Sequence, residues 1–165
     1  MNLSTLRSLI ESRYTLLTKY AGYLQAPILT VLRVYWGWQF FQTGLGKLGN
    51  LGRTAEFFGS LGIPFPTLNA LMAGATECGG GLLLAVGFAS RLVSIPLIAT
   101  MIVAYITAER ETVLHLFSNP DKFTAADPFL FLLVALLVLA FGPGPISIDN
   151  VIRRKLSCPV GNKAH

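Results

Sequence analysis

The run from Phe129 to Phe141 consists entirely of apolar residues, and this feature constrains the fold most. A helix made from it has no polar face to turn toward water. Charged residues make up 13% of the chain and hydrophobic residues 53%, whereas soluble domains carry about 25% charged residues. The sequence therefore indicates an integral membrane protein and not a soluble helical bundle.

Four apolar windows are candidates for membrane spans. A spanning helix needs about 20 mostly apolar residues, with ~17 as a practical minimum. The windows run from Ala26 to Gly44, from Thr67 to Gly87, from Leu92 to Ala108 and from Pro128 to Gly142. We therefore predict an all-α protein, a bundle of four transmembrane helices.

Residues 1–25 are predicted to form an amphipathic helix in the membrane interface. Apolar residues recur there at helical spacing, namely Leu3, Leu6, Leu9, Ile10, Leu17, Tyr20 and Leu24. Pro27 suits the first turn of the span that follows, because it lacks only an amide hydrogen that has no partner there. No cleaved signal peptide is expected. The chain is predicted to be one domain over 1–165, with its transmembrane core over 26–149 and a cytoplasmic tail over 150–165.

The positive charges predict the orientation of the spans and the partners of the chain. The formal net charge is +5, but the basic residues flank apolar segments and form no single basic face, so we expect membrane lipids as partners and no nucleic acid. With four spans, one side carries Arg7, Arg13, Lys19, Arg91, Arg153, Arg154, Lys155 and Lys163, and the other carries Lys47, Arg53, Arg110 and Lys122. The positive-inside rule then places both termini in the cytoplasm.

Arg33 and Glu77 lie inside predicted spans, where a charged residue costs about 2.5 to 3.5 kcal/mol. Their estimated depths predict that the two side chains pair. On a helix, Arg33, Gly37, Phe40, Gly44 and Lys47 share one stripe, and its glycines would let another helix approach closely. Two interpretations stay open: a site for binding or proton transfer, and a structural ion pair that fixes helix register.

Other polar residues in the spans are secondary candidates. Gln39 and Gln42 lie on the opposite side of the first span and could bond to other helices or face a homo-oligomer interface. Cys78 follows Glu77, but an isolated thiol in apolar surroundings is usually inert. The two histidines, His115 and His165, lie in a loop and at the terminus, so haem is not expected in the membrane. No metal site and no intrinsic cofactor is predicted.

Several short motifs together resemble the DoxX family of small bacterial membrane proteins. They span about residues 26–149 and comprise the Arg33 to Lys47 stripe, the sequence from Gly62 to Pro66, Glu77 with Gly80 and Gly81, Gly87 with Arg91, and Gly142-Pro143-Gly144 leading to Ser147-Ile148-Asp149. The resemblance implies a four-helix protein of the bacterial plasma (inner) membrane, and it adds Asp149 to the secondary candidates. Relatives have been linked to membrane redox complexes, including a thiosulfate:quinone oxidoreductase, to thiol-redox proteins and to assembly chaperones. This chain lacks the cysteine pair of the thiol-redox proteins.

The leading functional hypothesis is a membrane subunit associated with a quinone-linked redox complex. Arg33, Lys47, Glu77 and Arg91 would help form its pocket for a quinone-like or anionic small molecule, and other redox subunits would supply the electrons. Two alternatives are a non-catalytic assembly or scaffold protein, and a small transporter or lipid-binding protein.

Overall fold

A computed structural model describes residues 3 to 156 of the chain, and every regular element in that range is a helix. Cys158, Lys163 and the rest of the predicted tail beyond residue 156 lie outside the described residues. The helices are α1 (Leu3–Gly49), α2 (Leu51–Ser60), α3 (Pro66–Val86), α4 (Ser90–Thr107), α5 (Arg110–Leu114), α6 (Pro120–Ala125), α7 (Pro128–Phe141) and α8 (Ile148–Leu156).

The first helix is longer than the sequence predicts. α1 contains 47 residues and continues through Pro27, which lies inside it. The prediction that a new helix begins at Pro27 is therefore wrong. A proline inside a helix removes one backbone hydrogen bond, and long membrane helices tolerate that loss when their surroundings satisfy the freed groups. The interfacial location of residues 1–25 stays a prediction.

The second and third predicted spans coincide with α3 and α4 to within about two residues, the usual uncertainty of helix ends. Both helices are long and apolar enough to cross a membrane. Only three residues, Gly87 to Ala89, connect them, and Gly87 ends α3 with a φ of 77°, a conformation that favours glycine. The fourth window is α7, which is more apolar than α3 and α4 but has 14 residues.

Four helices contact one another in a closed ring in the order α1, α3, α4, α7 and back to α1. Their shared core includes Phe40, Leu84, Leu97, Val134 and Val138. Phe131 lies at its edge, where its ring meets those of Trp36 and Phe40 edge to face. The short helix α2 packs on α3, outside this ring.

Helices α1 and α3 touch backbone to backbone along the predicted glycine stripe. A Cβ added to Gly37 would lie 2.6 Å from the amide nitrogen of Ala85, and one added to Gly44 would lie 2.2 Å from that of Cys78. On α3, a Cβ at Gly81 would lie 2.5 Å from the amide nitrogen of Phe41. The prediction that Gly37 and Gly44 permit a close approach is confirmed, and this contact sets the register of α1 against α3.

Candidate functional site

The register of α1 and α3 brings Lys47 next to Glu77. Gly44 lies against Cys78, and Lys47 follows one turn later on the same face of α1. The Lys47 ammonium donates to Oε1 of Glu77 in a salt bridge. The Glu77 side chain is 2% exposed and that of Lys47 is 30% exposed. Oε2 of Glu77 is buried and has no hydrogen-bond partner in the structure.

A cavity of about 380 Å³ opens beside this ion pair. Lys47 and Glu77 are the charged residues of its lining, which also includes the polar residues Asn69, Thr76, Thr100 and Thr107. Its other walls come from α2, from the loop that follows α2, from α3 and from α4, and they are mainly apolar, including Phe57, Ile63, Met72, Pro96 and Val103. The arrangement can hold a flat or elongated apolar molecule with a polar end directed at an ammonium and a carboxylate.

Arg33 is buried elsewhere, and the predicted pairing of Arg33 with Glu77 is wrong. The guanidinium, on a residue 2% exposed, donates from one terminal nitrogen to the carbonyl oxygen of Ile146 at 2.8 Å. Eleven residues separate Arg33 from Gly44, the residue level with Glu77, which is about 16 Å along a helix at ~1.5 Å per residue. No arginine side chain reaches that far, so the sequence-based estimate of depth misplaced one residue relative to the other.

The surroundings of Arg33 are made by the link between α3 and α4 and by the segment before α8. A Cβ on Gly87 would lie 1.7 Å from a terminal nitrogen of Arg33 and 2.6 Å from the Cβ of Ser147. Gly87 is therefore the residue that leaves room for the guanidinium. Its other terminal nitrogen and Nε have no hydrogen-bond partner in the structure.

Asp149 caps α4 from a distance along the chain. Its two carboxylate oxygens accept from the backbone amides of Ala89 at 2.7 Å and Ser90 at 2.9 Å. Its own amide donates to the carbonyl oxygen of Gly87 at 2.9 Å. Because the first amides of a helix have no partner within the helix, this carboxylate supplies what the local sequence lacks. Asp149 thus joins the start of α8 to the junction of α3 and α4.

Arg91 lines a cavity with Asp149 and not the cavity of Lys47 and Glu77. It lines a cavity of about 740 Å³ together with Asp149, Arg153 and Arg154. The four residues predicted to form one pocket are therefore divided among three places: Lys47 with Glu77, Arg33 in its own buried position, and Arg91 at the arginine-rich cavity.

Of the secondary candidates, Asp149 lines the arginine-rich cavity, whereas Gln39, Gln42 and Cys78 line neither cavity. Gln39 is half-buried and Gln42 is exposed. Hydrogen bonds from these two side chains to other helices stay a prediction. Cys78 is a half-buried free thiol, and its backbone supports the close contact with Gly44.

Sequence reasoning missed the contributions of α2 and of the start of α8 to these sites. The apolar wall from Phe57 and Ile63 follows from the packing of α2 on α3, a contact between two helices that the amphipathic pattern of residues 54–61 does not locate. The capping role of Asp149 joins residues 60 positions apart. One feature of the sequence could have indicated the correct pairing. Arg33 and Lys47 are 14 residues apart, about 21 Å along a helix, so a single carboxylate on α3 can pair with only one of them.

Comparison with known proteins gives one family and one named relative. A family model described as DoxX matches residues 28–110. A Bacillus subtilis (strain 168) protein named "Putative oxidoreductase CatD" is 34% identical over 116 residues, which cover 61% of this chain and 85% of that relative. No solved structure matches the chain.

Proposed function

We propose, on the premise that the chain belongs to the DoxX family, that this membrane protein is a subunit of a quinone-linked electron-transfer system. Its quinone-like ligand binds in the cavity beside Lys47 and Glu77. The observation that carries the proposal is a buried carboxylate with one unpartnered oxygen at the polar end of an apolar cavity. The relative's printed name, which refers to an oxidoreductase, supports the same class of function.

The proposal includes a topology of four spans with both termini in the cytoplasm. α3 and α4 have the length and apolar composition for two of them, and the contacts of α1 and α7 with this pair support the proposal that they are the other two. Outward-facing side chains of α4 and α7 are also apolar, among them Ile95, Ile106, Leu130 and Leu136. Such a surface suits acyl chains and does not suit water. The location is the bacterial plasma membrane.

The cavity has the chemistry that a quinone requires. Its volume of about 380 Å³ falls within the ~300 to 1,000 Å³ typical of small-molecule sites. The Lys47 ammonium can donate to a ring carbonyl oxygen, since it has three N–H donors and Glu77 occupies one. Glu77 lies within reach of the same oxygen and can accept or release the proton that accompanies reduction of the ring. A partner subunit supplies the electrons.

The proposal is tested by measuring quinone binding to the purified protein in detergent. A short-chain benzoquinone or naphthoquinone is titrated into the protein, and bound quinone is quantified after gel filtration. Lys47→Met is expected to weaken binding about 10- to 100-fold, because a hydrogen bond to a charged group contributes about 1.5 to 3 kcal/mol. Glu77→Gln is expected to weaken it less, since a glutamine still offers polar atoms.

Two exposed residues provide matched controls. Lys122→Met and Glu56→Gln make the same chemical changes at positions exposed to solvent and outside the cavity, so they should leave the affinity unchanged. Equal affinities in all four variants would refute the site. A protein that retains no quinone but copurifies with a stoichiometric membrane partner would instead support the assembly or scaffold function.

A further inference from the structure

We propose that the cavity of about 740 Å³ between α1, α4 and α8 binds the phosphate headgroup of an anionic phospholipid. Its α4 wall is the first turn of the helix, whereas the cavity beside Lys47 includes the last turn of α4. The two sites are therefore separate, and a negative quinone result leaves this proposal unaffected.

Three arginines from two elements surround the cavity. Arg91 comes from the first turn of α4, and Arg153 and Arg154 come from α8. Arg91 donates to the carbonyl oxygen of Ala140 at 3.3 Å, and Arg153 donates to the side-chain oxygen of Asn150 at 3.1 Å. Because a guanidinium has five N–H donors, these contacts position the two side chains and leave most of their donors for a ligand. Planar arginine donors match phosphate oxygens well.

Among the described residues, Asp149 is the one acidic residue that lines the same cavity, and its carboxylate is already hydrogen-bonded within the protein. Both oxygens of Asp149 accept from the backbone amides at the start of α4, where the helix dipole also favours a negative charge. The cavity thus has three guanidinium groups and one carboxylate bound to protein. This excess of positive charge selects an anion.

Apolar side chains at the rim distinguish a lipid from a free phosphate ion. Leu92 is 70% exposed and Phe141 is 59% exposed, and both line the cavity next to its arginines. A phosphate ion gains nothing from this apolar surface, whereas a phospholipid covers it with acyl chain while its phosphodiester meets the arginines. Basic pockets between helices on the cytoplasmic side of a bilayer are known to bind such headgroups, and the proposed topology puts this cavity on that side.

The test is native mass spectrometry of the full chain, released from nanodiscs that contain equal amounts of phosphatidylglycerol and phosphatidylcholine. The wild-type protein should retain phosphatidylglycerol in preference to phosphatidylcholine. Arg153→Gln/Arg154→Gln should reduce this retention about 30-fold, since each basic residue near an anionic bilayer contributes about fivefold. Arg153→Lys/Arg154→Lys should recover most of it, because the charge is kept.

A double variant at the other end of the molecule serves as the control. Arg53→Gln/Arg110→Gln also removes two exposed arginines, and it should leave retention unchanged. The proposal is overturned if both lipids are retained equally, or if the two double variants lose phosphatidylglycerol to the same extent. It is also overturned if millimolar inorganic phosphate displaces the lipid completely, which would indicate a phosphate-ion site. Thermal melts verify that every variant is folded.

Discussion

Glu77 and its partner Lys47 have unequal access to solvent, and that inequality governs how each substitution acts. The carboxylate is almost completely buried, while the lysine side chain is 30% exposed. Loss of the lysine leaves a negative charge inside the protein without a partner, which costs about 3 to 5 kcal/mol in buried pairs. Loss of the carboxylate leaves an ammonium that can turn toward water.

We therefore expect Lys47→Met to destabilise the protein more than Glu77→Gln. The double variant should be more stable than the sum of the two losses implies, by about 0.5 to 3 kcal/mol, because the two groups interact directly. Thermal or denaturant unfolding in detergent, followed by circular dichroism, gives the four free energies of the cycle.

A second double-mutant cycle, with Arg33 in place of Lys47, is the control for the Lys47–Glu77 cycle. Arg33→Met and Glu77→Gln should be additive within about 0.5 kcal/mol, since their side chains are far apart and share no partner. An Arg33–Glu77 coupling as large as the Lys47–Glu77 coupling would contradict the observed pairing.

The sequence identified the charged residues of the spans but not their partners. Arg33, Lys47 and Glu77 stand out because ionised groups are costly at membrane depth. Their pairing depends on how far α1 slides along α3, and one helical turn changes the relative depth of two side chains by about 5.4 Å. Periodicity within one helix contains no information about that offset.

At the scale of the helix, the contact between α1 and α3 depends on the absence of side chains. Gly44 and Gly46 are two residues apart on α1, yet they face different surroundings. A Cβ on Gly44 would meet the backbone of Cys78, whereas a Cβ on Gly46 would meet nothing within 4 Å. This difference provides an internal control.

Gly44→Ala should destabilise the protein by about 1 to 3 kcal/mol, as overpacking does. The added methyl group can be accommodated only if α1 moves away from α3, which also separates Lys47 from Glu77. Gly46→Ala should stabilise α1 by about 0.5 to 1 kcal/mol, because alanine loses less conformational entropy in a helix. Unfolding free energies measured side by side check both signs, and equal effects would exclude a close contact at Gly44.

The sequence also predicted three elements well and one poorly. The windows for α3, α4 and α7 agree with the structure. Proline begins and glycine follows both α3 and α7, and Gly87, which ends α3, also limits where α4 can begin. The start of α1 was misplaced because Pro27 suits the first turn of a helix and can also lie inside one. No local signal separates these two cases.

For the whole molecule, the proposed topology predicts which surfaces an impermeant reagent can reach. With Cys78 and Cys158 replaced by serine, Lys122→Cys should react in intact cells with a membrane-impermeant maleimide. Arg154→Cys should react only after the membrane is permeabilised, because the positive-inside rule places α8 in the cytoplasm.

Arg53→Cys in α2 is the matched position for Lys122. It should be labelled in intact cells, since α2 and α6 are proposed to lie on the same side of the membrane. Labelling of Arg154→Cys in intact cells at the same rate as Lys122→Cys would rule out the four-span arrangement.

The hydrogen bond from Arg33 to Ile146 links residues 113 positions apart, which has a consequence for biosynthesis. At about 5 to 20 residues per second, the ribosome delivers the acceptor some 6 to 20 seconds after the donor. Until then Arg33 has no Ile146 carbonyl to donate to. The amides at the start of α4 likewise have no Asp149 carboxylate, because that residue has not yet been translated. Completion of the polypeptide thus coincides with the pairing of polar groups in its earlier segments, so an unfinished copy contains hydrogen-bond donors without the partners that they have in the finished protein.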